Sequence, residues 1–150
     1  MNSDLRNLYQ EVIVDHSKHP HNFKKIPDAN KTGEGFNPLC GDRLQLYLNV
    51  NGDKIIDASF EGQGCAISTA SASMMTDAIK GKSIKDAFEI FDEFHKLVTI
   101  GIEPEDDSKL GKLAVFSGVS EFPARVKCAS LCWHTLKAAL TGSQLPAQTE

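Results

Sequence analysis

Residues 43–61 read RLQLYLNVNGDKIIDASFE, and this stretch decides the fold. Leu44, Leu46, Leu48 and Val50 alternate with Arg43, Gln45, Tyr47 and Asn49, the two-residue period of a strand with one apolar face. Asn51-Gly52 suits the tight hairpin turn whose central residues need positive φ. The return strand sets Ile56, Ala58 and Phe60 on one face and Ile55, Asp57 and Ser59 on the other. The stretch predicts an antiparallel pair, and because an isolated hairpin is marginal, a third strand is expected to join it.

Outward from the hairpin the pattern turns helical. Upstream, Leu5, Leu8, Tyr9, Val12, Ile13 and His16 recur at helical spacing after a Ser3 cap, and Pro20 must end that helix. The segment from His19 to about Pro38, with Pro20, Pro27, Gly33, Gly35 and Pro38, reads as a long loop that is either mobile or employed beside Cys40. Downstream, Gly62 and Gly64 end the strand, and Ile67, Ala70, Ser71, Met74 and Ala78 form a helix of small residues closed by Gly81. Ser83 with Asp86 opens a further helix striped by Ile84, Ala87, Phe88, Phe91, Phe94 and Val98. The run Glu103-Pro104-Glu105-Asp106-Asp107 reads as a solvated turn and helix start. Pro123 fits the first turn of a last helix with Val126, Ala129, Trp133, Leu136 and Leu140 inward, ended by Gly142 and Pro146.

With 41% hydrophobic and 24% charged residues and no repeat or linker, residues 1–150 are expected to form one α+β domain: a small antiparallel sheet of about three strands packed on several helices, with a frayed tail at about 143–150. Sixteen Lys and Arg against twenty Asp and Glu leave a net charge of −4, which supplies no basic field for nucleic acid. Met1 to Ile13 carries Asp4, Arg6 and Glu11, and no segment approaches the ~18 apolar residues of a membrane span. A cytoplasmic protein with reduced thiols is expected.

The chemistry concentrates at the cysteines. Cys40-Gly41-Asp42 sits where the loop enters the strand, and Gly41 lets a thiolate and a carboxylate turn into one volume. Cys65 lies between Gly64 and a helix start, where backbone amides and the helix dipole favour thiolate. Cys128 stands in the first turns of the last helix, flanked by Arg125 and Lys127. Three thiolates and a carboxylate suit a tetrahedral zinc ion rather than calcium, but the spacing is no local zinc-finger signature. On residues alone a metal or thiol site, inert core cysteines and disulfides all stay open. Cys132, one turn after Cys128, is either a further ligand, a resolving thiol or, as free cysteine more commonly is, core packing. His16, His19 and His21 are crowded around a helix end and are read as terminating polarity rather than ligands; His95 and His134 are read as surface or satisfied core residues.

Three ordered motifs, Asn37-Pro38-Leu39-Cys40-Gly41-Asp42, Phe60 to Ser68 around Cys65, and Phe122 to Cys128, together resemble the U-type iron–sulfur assembly family, which includes IscU and the N-terminal part of NifU. The likeness runs from Leu8-Tyr9 to about Leu140. Lys127 stands where IscU-like scaffolds carry histidine, and the segment between Cys65 and Cys128 is longer than in scaffolds. Both features are similar to the SufU branch of Gram-positive bacteria. That resemblance implies a SufE/NifU-like fold and a zinc-dependent sulfurtransferase that works with a partner. Cys40, Asp42, Cys65 and Cys128 would bind Zn2+, and Cys40 would be the catalytic thiol. Cys40 would accept persulfide sulfur from a SufS-type pyridoxal-phosphate cysteine desulfurase, a histidine of which takes its place on zinc, and would pass the sulfur to downstream SUF proteins. The resemblance also implies that Arg125 contacts the partner. The alternative it carries is a scaffold on which a [2Fe–2S] cluster is built by the three cysteines, with or without Asp42.

Overall fold

The hairpin read from residues 43–61 forms one side of the sheet in the computed structural model, which describes residues 3–38, 41–101, 109–142 and 147–148. Strands β1 (Lys31–Asn37), β2 (Asp42–Asn51) and β3 (Lys54–Gln63) are antiparallel neighbours, and a two-residue β4 (Ala147–Gln148) lies parallel to β1, giving the order β3-β2-β1-β4. The α+β class and the three-stranded antiparallel sheet are therefore as expected.

Two local readings are corrected. The long loop predicted from His19 to about Pro38 contains β1. Its inward positions are Gly33 and Gly35, opposite Leu46 and Leu44, so the strand has no apolar alternation to reveal it. Glycine is needed there because the last helix lies almost on the backbone: a Cβ on Gly35 would fall 2.1 Å from Thr135 Oγ1, and one on Gly33 would fall 2.9 Å from the Thr135 carbonyl. The second correction lies in β3. Asn49 pairs with Asp57 but Val50 pairs with Ile55, so Ile56 is the extra residue of a β-bulge. Ile55 is thereby turned into the core and Ile56 is left exposed, reversing the faces read for this pair.

Helices α1 (Ser3–Lys18), α2 (Ala66–Ile79), α3 (Ile84–Ile100) and α4 (Pro123–Thr141) form where capping and periodicity place them. Ser83 Oγ accepts the Asp86 amide at the start of α3, Gly101 and Gly142 end α3 and α4 in the left-handed conformation, and Pro123 opens α4. A 3₁₀ segment, Gly111–Glu121, precedes α4 and buries Leu113, Val115, Phe116 and Val119, a role no clean period announces. The acidic run 103–107 lies outside the described residues. Of the tail expected to fray, Ala147 and Gln148 pair with β1 at Gly35 and Phe36.

Leu44, Leu46, Leu48, Ala58 and Phe60 belong to one buried cluster with residues of α2, α3, α4 and the 3₁₀ segment. Helix α2 sits in the middle, buried on nearly every side, and its Ala70, Ser71, Ala72 and Ser73 are small enough for α1 and α4 to pack closely on it. Trp133 of α4 stacks on Phe94 of α3 with ring centroids 4.9 Å apart, and Phe94 meets Phe116 edge-on. These contacts tie α4 to α3 and the 3₁₀ segment, while α4 packs on β1 and β2. No described helix is long and apolar enough to cross a membrane.

Candidate metal centre

Three elements end at one place. Asp42 is the first residue of β2, Cys65 is the N-cap of α2, and Cys128 lies in the second turn of α4. One ligand atom from each, a carboxylate oxygen and two Sγ, all lie within 4.8 Å of one another. Asp42 is 0% exposed and Cys128 3%, while Cys65 opens to solvent, so the group is walled on two sides.

Local bonding fixes each side chain. The backbone N–H of Cys65 donates to Asp42 Oδ1 at 2.9 Å, which ties the β3–α2 turn to the start of β2. Gly64 permits this approach, since a Cβ there would fall 2.9 Å from the same oxygen. The other oxygen, Asp42 Oδ2, is buried with no hydrogen-bond partner among the described residues. A carboxylate oxygen left bare in the interior is costly unless a cation or donor completes it. Cys65 Sγ accepts the Ser68 amide at 3.4 Å, the capping bond of α2. A hydrogen bond from Cys128, followed by the amides of Ser68 and Ile67, outweighs burial and the charge of Asp42 and holds the Cys65 thiol at about 6, so it is thiolate at neutral pH. The Asn37 side-chain amide donates to Cys128 Sγ at 3.8 Å.

This donor set fits zinc. Two thiolates on a tetrahedral zinc ion stand about 3.8 Å apart, from Zn–S distances of ~2.3 Å, and a carboxylate oxygen completes such mixed sites. The close grouping of the three donor atoms and the bare Oδ2 meet that requirement with one position left for a fourth ligand. Of the four predicted ligands, the structure brings Asp42, Cys65 and Cys128 together. Cys40 lies outside the described residues. Asn37 heads the first motif but was given no role from sequence; its only signal was that position beside Cys40.

The remaining candidates fall elsewhere. Cys132 is buried, its thiol pushed up to about 12 by burial, and it contacts Ser71 Oγ at 3.3 Å, in keeping with packing. No disulfide links Cys65, Cys128 and Cys132 to one another. Arg125 is exposed, with its guanidinium over the Phe122 ring at 4.4 Å, one turn before Cys128. His16 Nδ1 contacts Ser73 Oγ at 2.8 Å and His21 pairs with Asp77, so both fasten α1 and its exit to α2. His19 is exposed. His134 packs against Phe91 with centroids 5.4 Å apart, and burial, with His95 and Lys137 nearby, lowers its pKa.

An α+β domain that gathers thiolates and a buried carboxylate from three separate elements defines a soft-metal or sulfur-handling protein. The profile of the NifU-like N-terminal domain matches residues 8–129, and the chain belongs to that family. It is 46% identical over 136 residues to the zinc-dependent sulfurtransferase SufU of Bacillus subtilis strain 168, covering 91% of each chain. It is also 43% identical over 141 residues to the iron–sulfur cluster assembly scaffold protein IscU of Streptococcus pyogenes serotype M1, covering 94% of this chain and 87% of that one. A crystal structure from Fervidobacterium islandicum AW-1, described as a SUF-system iron–sulfur cluster assembly scaffold, superposes with a TM-score of 0.82 at 42% identity, covering 90% of this chain and 98% of the other. A NifU-like N-terminal protein of Brucella abortus, 17% identical, shares the fold with a TM-score of 0.81, covering 93% and 96%.

Proposed function

We propose that this protein is a zinc-dependent sulfurtransferase. It takes persulfide sulfur from a SufS-type cysteine desulfurase at Cys40 and hands it on for iron–sulfur cluster assembly in the cytoplasm, with residues 1–150 acting as one domain. The observation that carries the reading is the convergence of Asp42, Cys65 and Cys128 around a buried, unpartnered carboxylate oxygen, two positions along the chain from Cys40. The 46% identity to a zinc-dependent sulfurtransferase supports it.

Zinc held by Asp42, Cys65, Cys128 and Cys40 would keep the thiolates deprotonated and resistant to oxidation. The chain's own residues do the rest. Asp42 is fixed by the Cys65 amide, and Cys65 by the first turn of α2, so these donors are anchored on regular elements. Cys40 belongs to the connection between β1 and β2, which leaves it as the exchangeable thiolate. It attacks the outer sulfur of the partner's persulfide; the partner's S–S bond breaks, its cysteine leaves as thiolate, and Cys40 becomes the persulfide. An acceptor thiolate then attacks that outer sulfur and regenerates Cys40. Arg125, exposed beside Cys128, offers the partner a cationic contact.

The test is sulfide and alanine production by a SufS-type desulfurase with cysteine and reductant, titrated with zinc-loaded protein and its Cys40→Ser variant. Many turnovers per chain that vanish in the variant are expected. Absence of stimulation by folded, zinc-loaded protein overturns the reading and favours an iron–sulfur cluster assembly scaffold, the role named for the Streptococcus relative.

A further inference from the structure

Asn37 is the last residue of β1 and is 0% exposed. It stands opposite Asp42 in the β1–β2 register. Its backbone carbonyl accepts the N–H of Gly41, the residue after Cys40 in the chain, at 2.9 Å. Its side-chain Nδ2 donates to Cys128 Sγ at 3.8 Å, across 91 residues of chain. One buried residue thus bonds both to Gly41, which follows Cys40 in the chain, and to the thiol contributed by α4.

A buried amide side chain is costly unless its N–H groups are used, so its placement here needs a reason beyond packing. Sulfur is a weak acceptor when protonated and a better one as thiolate, and an N–H···S bond to a thiolate withdraws electron density from the sulfur. It also fixes the direction in which the sulfur presents its lone pairs. From these contacts we propose that Asn37 is a positioning residue. It orients Cys128 as a permanent anchor of the metal centre and damps its nucleophilicity, so that sulfur is accepted at Cys40 and not at Cys128. Outer-shell donors of this kind govern metal affinity by 10- to 100-fold in other sites. This inference rests on the metal-site reading above.

The experiment compares the full-length wild type with Asn37→Asp, which keeps the shape and removes the donor, and Asn37→Ala, which removes it without adding charge. Zinc affinity is read by chelator competition, and cobalt(II) is substituted to read the thiolate-to-metal charge-transfer band. Both variants are expected to bind zinc about 10- to 100-fold more weakly. Both should shift the cobalt band to lower energy, because a thiolate without its hydrogen bond gives up electron density more readily. Should a variant fail to fold without metal, the rate of zinc release to excess chelator is read on the loaded protein and is expected to rise by a similar factor. Affinity, release rate and band unchanged in both variants overturn the role of Asn37 while leaving the metal centre intact. A change in Asn37→Asp alone assigns the effect to the new charge and likewise overturns it. A wild type that takes up neither ion overturns the metal reading itself, and this inference with it.

Discussion

Replacing Gly35 by alanine tests the contact that brings α4 to the sheet. The new Cβ would lie 2.1 Å from Thr135 Oγ1 and 3.1 Å from Leu131 Cδ1, both on α4. Thr135 is β-branched and stiff about χ1, and its hydroxyl already donates to the Leu131 carbonyl at 2.8 Å. Turning it aside gives up that bond, worth about 0.5–1.5 kcal/mol net, and leaving it in place overpacks the interface at about 1–3 kcal/mol. A loss of about 1–3 kcal/mol follows, which for a domain of this length is a fall in Tm of about 2–12 °C. Thr135→Ala removes the atom that collides, so the double variant should recover at least ~1 kcal/mol relative to the sum of the single changes. Thermal and urea melts of the four proteins measure this cycle. Because α4 carries Cys128, Gly35→Ala should also weaken zinc binding, and Thr135→Ala should restore part of it. A Gly35→Ala protein that melts with the wild type, or a double variant that recovers nothing, refutes the claim that glycine is there to admit α4.

Two further outcomes concern the thiols. In metal-free protein, alkylation of Cys65, followed by mass spectrometry of its peptide, should rise with pH through a midpoint of about 6 as the thiol ionises, and Cys128→Ala should move the midpoint upward because the hydrogen bond from Cys128 is the main stabiliser of the thiolate; a wild-type midpoint near 9 contradicts this. Cys132→Ala should leave zinc content and sulfur acceptance near normal while costing about 1 kcal/mol of stability, since that buried thiol has packing and its contact with Ser71 Oγ to lose. Near-complete loss of transfer in a folded Cys132→Ala protein would show instead that it takes part in the chemistry.

What could be read in advance divides along physical lines. β2, β3 and the four α-helices announce themselves because local rules shape them: alternation around Asn51-Gly52, the Ser83 cap, Pro123 at a helix start and Gly142 at a helix end. β1 was illegible because its inward face is made of glycines, whose fitness depends on Thr135 and Leu131 a hundred residues away. The bulge that exchanges Ile55 for Ile56 was equally hidden, since both residues are isoleucine and only the pairing with β2 distinguishes them. At the site, each candidate was visible from its own setting, but the main cause of the lowered Cys65 pKa, the hydrogen bond from Cys128 63 residues away, was not, and the helix-start amides only add to it. Their meeting was not visible in the spacing, because it is a product of how α4 docks; there the likeness of the three motifs to a known family carried the reading.

Asp42, Cys65 and Cys128 are separated along the chain by 23 and then 63 residues, and each is supplied by a different element. Contacts of that range form only after long loops have been closed, and so tend to come late in folding. A chain emerging from the ribosome as far as α2 holds a carboxylate and one of these thiols, but the cavity acquires its Cys128 wall only when α4 has been made and has settled against the glycines of β1. The site is in that sense a report on completion: a misdocked or truncated chain would offer scattered donors and poor retention of a soft metal, and loading would distinguish finished molecules from unfinished ones.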